Sequence, residues 1–169
     1  MKPSHPSRWP RVLAAWVGVL VVASAVAAEP ELLPPEQAFH FSARALDDRV
    51  VEARFAVADG YYMYRDKFKF ALVPEPQDYA APTLPPGKVK DDDFFGKVET
   101  YRGEVIVRIP LSVSAAGKSI VVIADSQGCA DAGVCYPANR QQVTLVVPEV
   151  GKGPGTAVEA HPRKKRWFN

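Results

Sequence analysis

From residue 36 to Val147, apolar and polar side chains mostly alternate with a period of two, the spacing of strands that bury one face. Val50-Val51-Glu52-Ala53-Arg54-Phe55-Ala56-Val57 alternates imperfectly and ends at the turn pair Asp59-Gly60. Lys67-Phe68-Lys69-Phe70-Ala71-Leu72-Val73 alternates cleanly and stops at Pro74. Further strands are predicted over residues 104–111, 119–124 and 142–147. Turn signals separate them at Pro85-Pro86-Gly87, Arg102-Gly103 and Ala116-Gly117-Lys118. Short β-rich runs punctuated by Gly and Pro predict an all-β, antiparallel sandwich. The 16 prolines argue against long helices, and no internal repeat is present. Residues 74–100 read as one long irregular stretch containing Asp91-Asp92-Asp93-Phe94-Phe95-Gly96. A loop of that length in a compact domain is often functional.

The two ends differ from this body. Lys2, Arg8 and Arg11 precede an uncharged, mostly apolar run over residues 12–26, and small residues follow to Ala28. This is the layout of an export signal, so residues 1–28 are expected to be a signal peptide cleaved after Ala27 or Ala28. The run falls short of the roughly 20 residues of a membrane span, so no stable span is expected after cleavage. Residues 29–36 read as an extended lead-in, residues 37–150 as the folded domain, and residues 151–169 as a flexible basic tail. That tail opens on Gly151-Lys152-Gly153-Pro154-Gly155 and ends on Arg163-Lys164-Lys165-Arg166-Trp167-Phe168-Asn169. A solvated end is expected there, with contact to anionic lipid as the alternative. Residues 29–150 carry 13 basic and 18 acidic side chains, a mildly acidic balance that argues against nucleic acid as a partner.

The candidate chemistry lies in Gln127-Gly128-Cys129-Ala130-Asp131-Ala132-Gly133-Val134-Cys135-Tyr136-Pro137, which holds both cysteines of the chain. Five residues separate them, unlike the C-x-x-C of thioredoxin-like proteins. Export places them where thiols oxidise. If Cys129 ends one strand and Cys135 begins the next, the two can come within disulfide reach. A structural staple closing so short a loop contributes about 2.4 kcal/mol in the chain-entropy model, which a domain of this size does not need. A redox-active pair and a metal site remain open beside the staple. The metal reading lacks partners: His5 falls in the leader, His40 ahead of the first strong strand, and His161 in the tail.

The same segment resembles the active-site segment of the N-terminal periplasmic domain of DsbD-type thiol:disulfide interchange proteins. Gly60-Tyr61-Tyr62-Met63-Tyr64-Arg65 is similar to that family too, as is Asp92-Asp93-Phe94-Phe95-Gly96 followed by Tyr101-Arg102-Gly103. The resemblance implies an immunoglobulin-like sandwich and a redox role without a cofactor. It implies Cys135 as the thiol that forms mixed disulfides and Cys129 as its resolving partner. Asp92, Asp93, Phe94, Phe95 and Gly96 would form a cap loop over the sulfurs. The partners implied are thioredoxin-fold proteins, as donor and as acceptor, in the periplasm, with the domain acting as a monomer. The chain ends at Asn169 without a membrane domain or a thioredoxin-like domain, so a stand-alone carrier is expected, one lacking its own electron source. A binding module with an inert disulfide and a metal-handling dithiol protein are the alternatives. Asp92 and Asp93 either steer proton transfer and tune a thiol, or belong to a solvated charged surface. Asp131, between the cysteines, has the same two readings. Tyr61 and Met63 are expected to pack in the sheet, Tyr62 and Tyr64 to support the site from one face, and Tyr136 to pack beside the disulfide.

Overall fold

The computed structural model describes residues 32–74, 81–92, 95–112 and 114–160. The expected signal peptide, the first residues of the lead-in, Asp93, Phe94 and the end of the tail from residue 161 lie outside the described residues. Among the described residues no helix is long and apolar enough to cross a membrane. The one α-helix among the described residues, α1 (Pro35–Ala38), is a single turn opened by Pro35, whose missing N–H is no loss at a helix start.

Among the described residues, eleven strands follow. They are β1 (Phe39–Ala45), β2 (Val50–Val57), β3 (Tyr61–Tyr64), β4 (Lys69–Val73), β5 (Lys88–Asp92), β6 (Gly96–Tyr101), β7 (Glu104–Pro110), β8 (Ser119–Ser126), β9 (Gly128–Ala130), β10 (Asn139–Val146) and β11 (Val158–Glu159). All pairings are antiparallel. One sheet runs β11-β1-β2-β7, a second β10-β8-β4 and a third β5-β6-β3-β9. The second and third are one layer broken in the middle. Strand β3 passes through a 3-10 turn (Arg65–Lys67) into β4, while its neighbour β8 passes through Gln127 into β9. The Tyr64 N–H donates to the Gln127 carbonyl at 3.0 Å and bridges the break.

The two layers close on one apolar core. Phe41, Val51, Phe55, Val107 and Ile109 come from the first sheet, and Leu72, Val122, Val143 and Leu145 from the second. Phe41 and Phe55 sit opposite each other in register, with ring centroids 4.9 Å apart. Burying such a ring contributes about 1.5–3 kcal/mol.

Three features depart from the sequence reading. Strand β1 was not expected, and His40 lies within it rather than ahead of the first strand. Residues 74–100 are not one irregular loop, because β5 and β6 form a hairpin within them. Both strands are largely exposed except near Asp92 and Thr100-Tyr101, so they carry no apolar alternation. The third is the segment after residue 150, expected to be a free tail. Val158 and Glu159 pair with Ala43 and Ser42 of β1, and Ala160 is buried, with its N–H on the Phe41 carbonyl at 2.9 Å. An unpaired β1 edge offers hydrogen-bonding groups that favour a partner strand, and the chain's own continuation supplies it.

Candidate functional site

The site forms where β3, β9 and the β5–β6 hairpin meet. Successive side chains on a strand point to opposite faces, and β3 uses both. Tyr61 and Met63 enter the main core, while Tyr62 and Tyr64 join a second buried cluster with Cys129. Tyr62 lies directly across from Cys129 in the β3–β9 register. Gly128 makes this approach possible: a Cβ there would run into the Tyr62 carbonyl oxygen and lie 2.7 Å from ring carbons of Phe39. Gly128→Ala is therefore expected to destabilise the domain by about 1–3 kcal/mol, read by urea unfolding, since neither the backbone nor the packed ring can yield cheaply.

Cys129 and Cys135 are joined in a disulfide, with Cα atoms 4.0 Å apart. The intervening residues turn back at Gly133, whose φ of +83° suits a residue without a Cβ and whose N–H reaches the Ala130 carbonyl at 3.0 Å. The Tyr136 N–H closes the loop on the Gly128 carbonyl, also at 3.0 Å. The two sulfurs differ in access: Cys129 is fully buried, and Cys135 is half-buried.

Tyr64 links the disulfide to a buried carboxyl. Its hydroxyl oxygen is 3.1 Å from Cys129 Sγ, 3.9 Å from Cys135 Sγ and 2.9 Å from Asp92 Oδ2. The Tyr62 hydroxyl donates to the same Asp92 oxygen at 3.0 Å, and Lys90 Nζ lies 3.4 Å from it. Lys90 Nζ also sits 3.8 Å from the centroid of the Tyr62 ring. The other Asp92 oxygen accepts the Phe95 N–H at 3.2 Å. Asp92 is thus buried at the head of the hairpin turn and gathers donors from β3, β5 and the turn itself. Gly96, with φ +69°, completes that turn. The Phe95 ring is 45% exposed and packs edge-on against Tyr64 at 5.1 Å, while Lys67 Nζ lies 4.6 Å from its centroid.

Burial, and then the hydrogen bonds with Tyr62 and Asp92, push the Tyr64 phenol well above the ordinary tyrosine range. The unfolded chain releases this proton near pH 10 while the folded chain holds it. Unfolded protein then binds fewer protons, so stability falls as pH rises above 10. Urea unfolding between pH 9 and 11 should show a loss approaching about 1.4 kcal/mol per pH unit from this group, absent in Tyr64→Phe.

Of the residues singled out from the sequence, Cys129, Cys135, Tyr62, Tyr64 and Asp92 converge, and Phe95 joins them through Tyr64. Tyr136 does not pack beside the disulfide. Its ring stands edge-on to Phe39 at 5.5 Å, against the main core, and its hydroxyl donates to the Leu33 carbonyl at 2.7 Å. Adjacent residues of extended chain face opposite ways, so Tyr136 points away from the side that Cys135 occupies. Asp131 is paired with Arg102 on the surface. Lys90 went unread in the sequence, although its position two before Asp92 puts both on one strand face. Among the described residues no group of three or more His, Cys, Asp or Glu could hold a metal.

A two-layer antiparallel sandwich with a cystine at the end of one layer, its inner sulfur held against a buried tyrosine, defines a disulfide-bearing β domain. Comparison with known proteins gives it a family. Residues 29–147 match the family model described as "Thiol:disulfide interchange protein DsbD, N-terminal". DsbD of Ralstonia nicotianae is 45% identical over 147 residues, which are 83% of this chain and 24% of that protein. DsbD of Neisseria meningitidis serogroup B is 42% identical over 108 residues, 63% of this chain and 17% of that protein. The solved N-terminal domain of Neisseria meningitidis DsbD in its reduced form superposes with a TM-score of 0.65 at 34% identity, covering 77% of this chain and 96% of that one. The same domain in complex with the N-terminal domain of PilB gives 0.59 at 36% identity, with 79% and 95% covered. The chain belongs to the DsbD N-terminal domain family, and its fold is the immunoglobulin-like sandwich of that family. It spans about a quarter or less of the length of these curated relatives.

Proposed function

We propose that this domain carries reducing equivalents by thiol–disulfide exchange, taking them from a thioredoxin-like donor and passing them to thioredoxin-fold partners in the periplasm. The observation that carries this reading is the unequal access of two bonded sulfurs beside a buried hydroxyl–carboxyl pair. In the accepting half-reaction, a donor thiolate attacks the half-buried Cys135 Sγ and Cys129 leaves as a thiolate. A second donor thiol displaces Cys135, so two electrons and two protons enter and the donor leaves oxidised. In the delivering half-reaction, the Cys135 thiolate attacks a partner disulfide. Cys129 then attacks Cys135 Sγ in the mixed disulfide and releases the partner as a dithiol.

Cys129 must take up a proton in one direction and lose it in the other. Tyr64 lies between Cys129 and Asp92, so its hydroxyl can accept the Cys129 proton while passing its own to Asp92. In the disulfide the carboxyl oxygen is a much stronger acceptor than sulfur, and the Tyr64 proton points to Asp92. Asp92, Asp93, Phe94, Phe95 and Gly96 serve as a cap loop: Phe95 covers Tyr64, and opening the turn exposes the sulfurs to a partner. The names of the relatives and the solved complex of a related domain with a PilB domain support partners of this class. The domain works as a monomer.

Mixing the reduced protein with an oxidised thioredoxin-fold protein tests the reading. Trapping free thiols by alkylation and weighing both chains should show one disulfide transferred per molecule. If both proteins keep their starting thiol counts over hours, the exchange reading fails.

A further inference from the structure

Arg102 lies in the turn between β6 and β7 and spans the gap to the cysteine loop. Its Nη1 and Nη2 donate to the two Asp131 carboxylate oxygens at 2.9 and 2.6 Å, and Nη1 also donates to the Tyr61 carbonyl at 3.1 Å. Its guanidinium lies 5.3 Å from the centroid of the Tyr62 ring. An exposed ion pair ordinarily contributes about 0–1 kcal/mol. This one is bidentate, takes a β3 carbonyl as third acceptor and rests against an aromatic ring, a set of contacts that lysine cannot reproduce. The base of Arg102 is also fixed, because neighbouring Tyr101 is buried and its hydroxyl donates to the Pro85 carbonyl at 2.5 Å.

The position of Asp131 gives these contacts their meaning. It stands two residues after Cys129 and four before Cys135. The backbone bonds within the loop, from the Gly133 N–H to the Ala130 carbonyl and from the Ala130 N–H to the Val134 carbonyl, tie the loop only to itself. Asp131 ties it to the body, through its N–H on the Gly60 carbonyl at 2.7 Å and its carboxylate on Arg102. Neither tie uses a sulfur atom, so breaking the S–S bond does not itself break either one. Intramolecular attack depends on how closely the reacting atoms are held beforehand.

We infer that Arg102 is a positioning residue for thiol exchange: by pinning Asp131 it keeps the reduced Cys129 and Cys135 in register for closing the bond. The inference rests on the exchange reading for its biological use but not for its measurement. Without the clamp the dithiol gains freedom that the disulfide lacks, so the disulfide becomes easier to reduce and mixed disulfides resolve more slowly. The bond chemistry is unchanged: Cys129 sulfur attacks Cys135 sulfur, and the partner's sulfur leaves.

The test is the equilibrium of the pair with dithiothreitol, which needs no protein partner, in wild type, Arg102→Ala, Arg102→Lys, Asp131→Asn and the double variant Arg102→Ala/Asp131→Asn. Arg102→Ala and Asp131→Asn should each shift the equilibrium toward the dithiol by about three- to tenfold, tenfold being about 30 mV for this two-electron couple. The double variant should shift no further than either single one. Arg102→Lys should not restore the wild-type value, and amide hydrogen exchange of residues 130–134 in the reduced protein should quicken in all four variants. Three results overturn the inference. The two single variants could shift in opposite directions, which marks an effect of charge on the thiols. Lysine could restore the wild-type value. Melting temperature could fall while the equilibrium stays within twofold, which marks a structural role only. Failure to exchange with a thioredoxin-fold protein, with these shifts intact, would count against the carrier reading and leave the clamp standing.

Discussion

Replacing Cys135 by serine should slow exchange with an oxidised thioredoxin-fold protein by at least roughly a thousandfold, because it removes the attacking atom. Replacing Cys129 by serine should give the opposite signature. The first attack persists, and a covalent complex through Cys135 accumulates because nothing resolves it. The asymmetry follows from burial. Cys129 has no exposed surface and lies against Tyr64, while Cys135 is half-buried at the end of the loop. A bulky partner sulfur approaching in line with the S–S axis can reach the second and not the first. Mass spectrometry of non-reduced mixtures reads the complex. A complex formed by Cys135→Ser and not by Cys129→Ser would reverse the two roles.

The second large effect is expected at Asp92. Asp92→Ala removes the acceptor for two buried hydroxyls, those of Tyr62 and Tyr64, and for the Phe95 N–H that shapes the hairpin turn. A buried donor left without a partner costs about 1–3 kcal/mol. Tyr64 can turn its proton toward sulfur and recover part of that. The net loss in urea unfolding should be about 2–4 kcal/mol. Asp92→Asn keeps the volume and one acceptor oxygen, so it should recover part of the stability. It cannot take a proton from Tyr64, so exchange should stay slowed by about a hundredfold. A variant with wild-type stability and wild-type rate would remove Asp92 from the site.

How much of this could be read from the chain follows from which faces are buried. Strands β2, β4, β7 and β8 bury one face and expose the other, so their alternation predicts them within a few residues. Strand β1 alternates equally well, Phe39, Phe41, Ala43 and Ala45 inward, but the small alanines and the adjacent lead-in masked it. The β5–β6 hairpin has water on much of both strands and offers no period to detect. The β11 segment is too short to show any period, and its pairing depends on an edge 115 or more residues earlier in the chain.

At the site, the alternation in Tyr61-Tyr62-Met63-Tyr64 assigns two faces, and the structure places a different cluster on each. Which cluster holds the sulfur depends on the β3–β9 register, a pairing between residues nearly 70 apart. Asp92 looks like one member of an acidic run. Only the fold turns its side chain inward while leaving its neighbour Asp91 exposed. The reach of Arg102 to Asp131 was not legible either, since it joins two irregular turns 29 residues apart.

Titrating the Cys129–Cys135 pair against glutathione, while following the fold by circular dichroism, tests the central claim most directly. The account predicts a reversible two-electron transition with the β signal unchanged from one end to the other. A bond that yields only when the sandwich unfolds would contradict it.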